Sequence, residues 1–201
     1  MKQRNTHNPQ ALRQALRRKR QALSPQQQQQ ASAALLEQCL QLASFQQASH
    51  VALYLANDGE LDPAQVIQHC WKAGKAVYLP VLHPFCVGNL LFMRYQPDSL
   101  MIANRYGIAE PRLECPGLCP VGQLDMLFTP LVGFDRQGNR MGMGGGYYDR
   151  TLAPLKRQPA NVEVVGLAHN CQQCDTLPVQ PWDIPMHKII TPDKIFHFQS
   201  Q

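Results

Sequence analysis

The sequence predicts a three-layer α/β fold: a mostly parallel sheet with helices on both faces, preceded by a helical lead-in. Three observations lead there. Near-continuous apolar runs of strand length recur at residues 51–55, 75–81, 124–130 and 162–168, and unbroken hydrophobicity marks strands covered on both faces. Between the first two runs, Asp62-Pro63 opens and Gly74 closes a helix of about a dozen residues. A strand, a helix and a strand make a βαβ unit, whose strands run parallel. Finally, 201 residues of which 44% are hydrophobic suffice for one sizeable core but not two. The expected organisation is a single α/β domain over residues 1–201, with 1–9 disordered and helices over 10–45 packed on it.

Taken in order, Leu12, Leu16 and Leu23 recur near helical spacing and predict a first helix over 10–23. Ser24-Pro25-Gln26-Gln27 reads as a helix start: serine caps, proline suits the first turn, and glutamine closes a capping box. That helix runs to about Ala43, and its tract Gln26 to Gln30 reads as one solvated face. The 51–55 strand is broken by Asn57-Asp58-Gly59. A further strand covers 90–95. Residues 97–120, rich in proline, glycine and cysteine, read as a long surface excursion. Residues 131–134 continue the 124–130 strand or begin a loop. Tyr147, Tyr148, Leu152 and Leu155 place a helix after Gly146, and the proline-rich tail over 177–196 reads as irregular.

The net charge is +5 with a sequence pI near 8.9. Much of the positive charge sits in Arg13, Arg17, Arg18, Lys19 and Arg20. A local cluster fits a small polyanion better than an extended nucleic-acid face. No run approaches the roughly 20 apolar residues of a membrane span. The first ten residues are polar, without a signal-peptide core, and the seven cysteines are odd in number. The expectation is therefore a cytoplasmic protein with reduced thiols. No heptad pattern appears, so a monomer is expected, with no nucleic-acid or membrane partner.

The chemistry concentrates in Arg140-Met141-Gly142-Met143-Gly144-Gly145-Gly146-Tyr147-Tyr148-Asp149-Arg150. Consecutive glycines ahead of a helix let backbone amides approach anionic oxygens. Arg140 and Arg150 bracket the loop with guanidinium donors suited to phosphate, and Asp149 sets a carboxylate beside them. The loop lacks the Gly-Lys-Ser/Thr ending of a Walker A motif and the glycine spacing of a dinucleotide fingerprint. Taken alone, it could also be a tight turn. A rival reading takes Cys115, Cys119, Cys171 and Cys174 as four zinc thiolates beside a basic nucleic-acid-binding helix. Another takes the fold as an enzyme for a different phosphorylated substrate.

The run Thr129-Pro130-Leu131-Val132-Gly133-Phe134-Asp135, followed by Gly138-Asn139 and the whole 140–150 loop, resembles the signature of 5-formyltetrahydrofolate cyclo-ligases (methenyltetrahydrofolate synthetases). Arg13 with its basic helix, Ser24-Pro25, Tyr54-Leu55, Gly59-Glu60, residues 107–111 and the segment from Leu177-Pro178 to Asp183 follow in similar order. The resemblance covers about residues 10–195. It implies an ATP- and Mg²⁺-dependent cyclisation of 5-formyltetrahydrofolate to 5,10-methenyltetrahydrofolate, in which ATP phosphorylates the formyl oxygen and N10 closes the ring, releasing ADP and phosphate. It also implies roles. Arg13, Arg140, Gly142, Met143, Gly144, Gly145, Gly146, Tyr147 and Tyr148 would bind ATP. Leu55, Glu60 and the stretch from Met143 to Tyr147 would bind folate. Asp149 and Asp183 would hold Mg²⁺, and Arg140 and Tyr147 would act in catalysis. Three positions depart from the family pattern: Pro9 stands where lysine is frequent, Met141 where leucine is, and His187 where an acidic residue is.

Overall fold

The computed structural model describes residues 8–157, 160–184 and 186–198. The expected disorder over 1–9 falls mostly on residues 1–7, which lie outside them. The two residues that do not are ordered: Asn8 caps a helix by accepting from the Gln10 N–H, and Pro9 occupies its first turn. That helix, α1, spans Pro9–Gln21. Both halves of the predicted capping box form at the start of α2 (Pro25–Leu40): Ser24 Oγ accepts from Gln27 N, and Gln27 Oε1 accepts from Ser24 N. Gln26, Gln27, Gln29 and Gln30 are exposed, as a solvated face requires. The second helix stops short of Ala43, and a separate turn, α3 (Ala43–Gln47), buries Phe45.

The strands and remaining helices are β1 (His50–Ala52), α4 (Ala64–Lys72), β2 (Ala76–Leu82), β3 (Leu90–Arg94), β4 (Met101–Ala103), β5 (Ala109–Pro111), β6 (Leu118–Cys119), β7 (Met126–Pro130), β8 (Gly133–Phe134), β9 (Arg140–Met141), α5 (Tyr147–Arg157), β10 (Glu163–Leu167), β11 (Lys188–Ile190) and β12 (Ile195–His197). Eight strands form the main sheet in the order β12-β11-β10-β7-β1-β2-β3-β6. Its centre, from β11 to β2, is parallel, and β12, β3 and β6 pair antiparallel at the edges. The predicted βαβ unit is β1-α4-β2, with Val51 opposite Val77.

The pleat sorts the apolar residues into two cores. Val51, Val77, Met126, Phe128, Val165 and Ile190 face α2, α3 and α4. Their alternates Ala52, Tyr78, Leu127, Val164 and Ile189 face α5 through Leu152. The central strands are covered on both faces, which is why their interiors read as near-continuous apolar runs. A third, smaller cluster packs Leu16 of α1 on Val132, Met141 and Leu177. It sets α1 across the loops that follow the central strands.

Three expectations need correction. The 51–55 strand ends at Ala52: Leu53 N still donates to Tyr78 O at 2.9 Å, and beyond it Tyr54 Oη donates to Leu61 O at 2.6 Å. Residues 97–120 are not simply an excursion: they hold the β4–β5 hairpin, and β6 pairs with β3 through Phe92 and Cys119. The tail is not irregular throughout, since β11 and β12 extend the sheet. Three-residue strands are too short to show a period, although Ile189 and Ile190 are fully buried.

Candidate active site

A cavity of about 700 Å³ opens beyond the carboxyl ends of the central strands, the usual place for ligands in such sheets. Every residue to which the resemblance assigned a role lines it: Arg13, Leu55, Glu60, Arg140, the stretch from Gly142 to Asp149, and Asp183.

One wall is the glycine loop. The β8–β9 hairpin that precedes it turns on Asp135, whose fully buried carboxylate accepts from the backbone N–H groups of Gln137, Asn139 and Leu177 and from the Asn139 side chain. Gly138 supplies the positive φ of 84° that this turn needs. The hairpin delivers Arg140 to the cavity with its side chain 4% exposed, ion-paired to Asp149. The Arg140 guanidinium also lies 5.9 Å from the Tyr148 ring centroid. Asp149 Oδ1 further accepts from Ile184 N at 3.3 Å, which brings the segment carrying Asp183 alongside. The Asp183 carboxylate accepts from Gln180 N at 2.9 Å. Two carboxylates beside a glycine loop suit a hard cation that also takes oxygens from water and phosphate.

Across the loop, Arg13 Nε donates to Gly142 O at 2.8 Å. Arg13 and Arg140 are the cationic side chains among the described lining residues. Arg150 has a different task from the phosphate contact expected of it. Its guanidinium donates to Gly88 O at 2.9 Å and to Gly145 O, tying the β2–β3 turn to the glycine loop. The basic cluster on α1 also divides. Arg18 and Lys19 are exposed, while Arg17 and Arg20 grip Asp58.

The opposite wall carries Leu55 and Glu60. Glu60 Oε2 accepts from Asn57 N at 3.1 Å, and Oε1 lies 3.7 Å from Arg20 Nη2. Burial pushes the Glu60 carboxyl up to about 7, against the opposing pull of Arg20. Arg17 and Arg20 instead hold Asp58 down to about 2.

Sequence reasoning missed the third wall. The β4–β5 hairpin brings Tyr106 Oη to 2.8 Å from Tyr147 Oη, and Arg105 donates to the same oxygen. The Tyr106 hydrogen bond and the Arg105 charge hold the Tyr147 hydroxyl below the usual phenol range. Glu110 anchors the hairpin by accepting from Leu82 N and Asn104 Nδ2. Residues 107–111 signalled this wall only through their place in the family order.

The zinc alternative finds no support in the geometry. Among the described residues, no three His, Cys, Asp or Glu side chains gather to hold a metal ion. Cys174 instead donates to Phe134 O. His187, which stands where an acidic residue is frequent, is exposed, accepts from Val164 N and does not line the cavity. Pro9 does line it.

Comparison with known proteins identifies the family. A 5-formyltetrahydrofolate cyclo-ligase of Escherichia coli (strain K12) is 46% identical over 183 residues, covering 91% of this chain and all of the relative. One from Haemophilus influenzae is 46% identical over 186 residues, covering 92% of this chain and 98% of the relative. The NMR structure of Aquifex aeolicus 5,10-methenyltetrahydrofolate synthetase superposes with a TM-score of 0.81 at 27% identity, over 96% of this chain and 94% of that one. The pattern of one family spans residues 5–192, and by that match and these identities the chain belongs to the 5-formyltetrahydrofolate cyclo-ligase family.

Proposed function

We propose that this protein is a cytoplasmic, monomeric enzyme that uses ATP and Mg²⁺ to cyclise 5-formyltetrahydrofolate to 5,10-methenyltetrahydrofolate, an ATP-dependent C–N ligation in one-carbon metabolism. The observation that carries the reading is the convergence, in one cavity, of side chains from both ends of the chain, Arg13 to Asp183. The 46% identity to named cyclo-ligases supports the same activity.

The formyl oxygen is a poor leaving group. In the proposed reaction it attacks the γ-phosphorus of ATP, and ADP departs as the O–P bond forms. The N10 lone pair then attacks the formyl carbon, the carbon–oxygen bond breaks, phosphate leaves, and the N10 proton is lost to solvent. Little covalent chemistry falls to the protein, whose task is positioning and charge stabilisation.

The glycine loop offers backbone N–H groups, and Arg13 braces it through Gly142 O. Arg140 is the principal charge at the transferred phosphoryl group. Its Nε is buried in the cavity wall without a hydrogen-bond partner among the described residues, and a phosphate oxygen would satisfy it. Tyr147 presents a polarised hydroxyl at the end of the loop that faces folate. Glu60 accepts hydrogen bonds from the pterin's donors, against the apolar side of Leu55. Asp149 and Asp183 fit Mg²⁺, which takes one or two protein carboxylates and keeps the rest of its shell for phosphate and water. Bound there, the ion supplies charge neutralisation on the phosphates.

The test is to mix the purified protein with 5-formyltetrahydrofolate, ATP and Mg²⁺ and to follow the absorbance of the methenyl product. Folded protein that forms none would end this reading.

A further inference from the structure

The side chain of Arg20 is 0% exposed. Its donors go to two cavity-lining loops: Nε to Asp58 O at 2.8 Å, Nη2 to Asp58 Oδ2 at 2.8 Å, and Nη1 to Leu131 O at 3.1 Å. The Leu131 carbonyl also accepts from Gln172 Nε2, and Gln172 Oε1 accepts from His169 N. These partners follow β1, β7 and β10, three adjacent strands of the sheet. The guanidinium therefore joins the loops after β1 and β7 directly, and Gln172 ties the loop after β10 to the same Leu131 carbonyl. The approach is close: a Cβ on Gly59, whose φ is +73°, would lie 3.3 Å from the Arg20 carbonyl oxygen.

Burying a guanidinium forfeits its hydration, and an apolar residue would pack α1 at lower cost. The polar choice calls for another reason, and Glu60 supplies it, with Oε1 at 3.7 Å from Arg20 Nη2. Taking as its basis the reading that Glu60 binds folate, we propose that Arg20 is a positioning residue for the folate end of the cavity: it locks the 57–60 loop against the 131–132 loop and holds the Glu60 carboxylate toward the pterin.

The charges around Glu60 leave this task to Arg20. Asp58 is on the same loop and of the same sign, and Arg17 is engaged by it. Tyr54 and Tyr148 face Glu60 with hydroxyls whose ionisation burial opposes. His169, behind the loop, is kept neutral by burial and by Arg20, its pKa lowered to about 4. Arg20 is thus the cation that favours ionised Glu60 over its protonated form.

The test compares wild type, Arg20→Met, Arg20→Lys, Glu60→Gln and the Arg20→Met/Glu60→Gln double variant, each checked for folding by circular dichroism. Wild-type turnover establishes the underlying activity, and its absence would defeat the functional reading rather than this inference. In an active enzyme, Arg20→Met should raise the KM for 5-formyltetrahydrofolate about tenfold or more, with the KM for ATP within about twofold. The pH below which that folate KM rises should move up by about one unit, because the favouring cation is gone. In the Glu60→Gln background the same change should add less than about threefold. A full, undiminished effect there, or equal rises in both KM values, would overturn the proposal. If Arg20→Met does not fold, Arg20→Lys decides the matter. It keeps the charge and loses the fork, so it should raise the folate KM selectively without moving the pH limb. An unchanged folate KM in Arg20→Lys would be equally fatal.

Discussion

Replacing Glu60 with glutamine removes a carboxyl whose charged form burial makes costly. Burial raises it from the ordinary 4.5 to about 7, a displacement worth roughly 3 kcal/mol at full effect. The side chain keeps 13% of its exposure, and relaxation will screen part of the penalty, which leaves about 1–2 kcal/mol. The folded state holds the proton more tightly than the unfolded chain. Stability from this group is therefore greatest below 4.5, falls as pH rises between 4.5 and about 7, and is level above. His169 works in the opposite sense, since lowering its pKa from 6.5 to about 4 makes stability rise with pH over an overlapping range. The difference between variant and wild type isolates Glu60. For a chain of this length, Glu60→Gln should melt about 3–6 °C above wild type at pH 8 and about level with it at pH 5. Calorimetry at four pH values gives the answer. On the proposed function, the ionised carboxylate is the form that binds, so the wild-type folate KM should rise about tenfold from pH 8 to pH 6. A melting difference that stays constant from pH 5 to pH 8 would refute the reasoning, because a group that does not titrate in the fold cannot produce the slope.

Asp149→Asn retains the shape of the side chain and removes its charge. Turnover should fall at least about 100-fold, with saturation moved to higher Mg²⁺, and an unchanged Mg²⁺ titration would exclude Asp149 as a ligand. Arg13→Ala loses the brace on Gly142 O and should raise the KM for ATP about tenfold; a rise confined to folate would assign Arg13 to the other ligand. Gly88→Ala places a Cβ 2.3 Å from Arg150 Nη2 at a φ of +87°. It should cost about 1–2 kcal/mol in urea denaturation, and an unmoved midpoint would mean that Arg150 swings aside and is no staple.

The parallel centre of the sheet was legible because its strands are buried on both faces and write that burial as unbroken apolar runs. The edges were not. β6, β11 and β12 have two or three residues each, and their place depends on a neighbour's free edge rather than on any period of their own. The site shows the same division. The glycine loop announced itself through backbone requirements that only glycine meets, and family order placed Leu55, Glu60 and Asp183 near it. The Tyr106–Tyr147 contact joins residues 41 apart in sequence and follows from hairpin docking, which no local spacing encodes. Arg150 misled because a guanidinium beside a glycine loop suits phosphate and backbone carbonyls equally well.

The first helix turns its arginines toward the protein. Leu12, Leu16 and Leu23 predicted the helix, and its basic cluster was expected to meet a polyanion. Arg13, Leu16, Arg17 and Arg20 stand at i, i+3, i+4 and i+7, which is also one face of a helix, and that face meets the protein. Arg13 reaches the glycine loop, while Arg17 and Arg20 reach the loop of Asp58 and Glu60. At 1.5 Å per residue, Arg13 and Arg20 are separated along the axis by about 10 Å. On the proposed reading, one rigid element therefore sets the distance between the nucleotide contact and the folate contact. A phosphoryl transfer between two bound substrates depends on that distance more than on any single charge, because reacting atoms must be held within about 3–3.5 Å of each other. The helix expected as a lead-in is thus a wall of the site, and Arg13, Arg17 and the buried Arg20 are the reason that wall lies where it does.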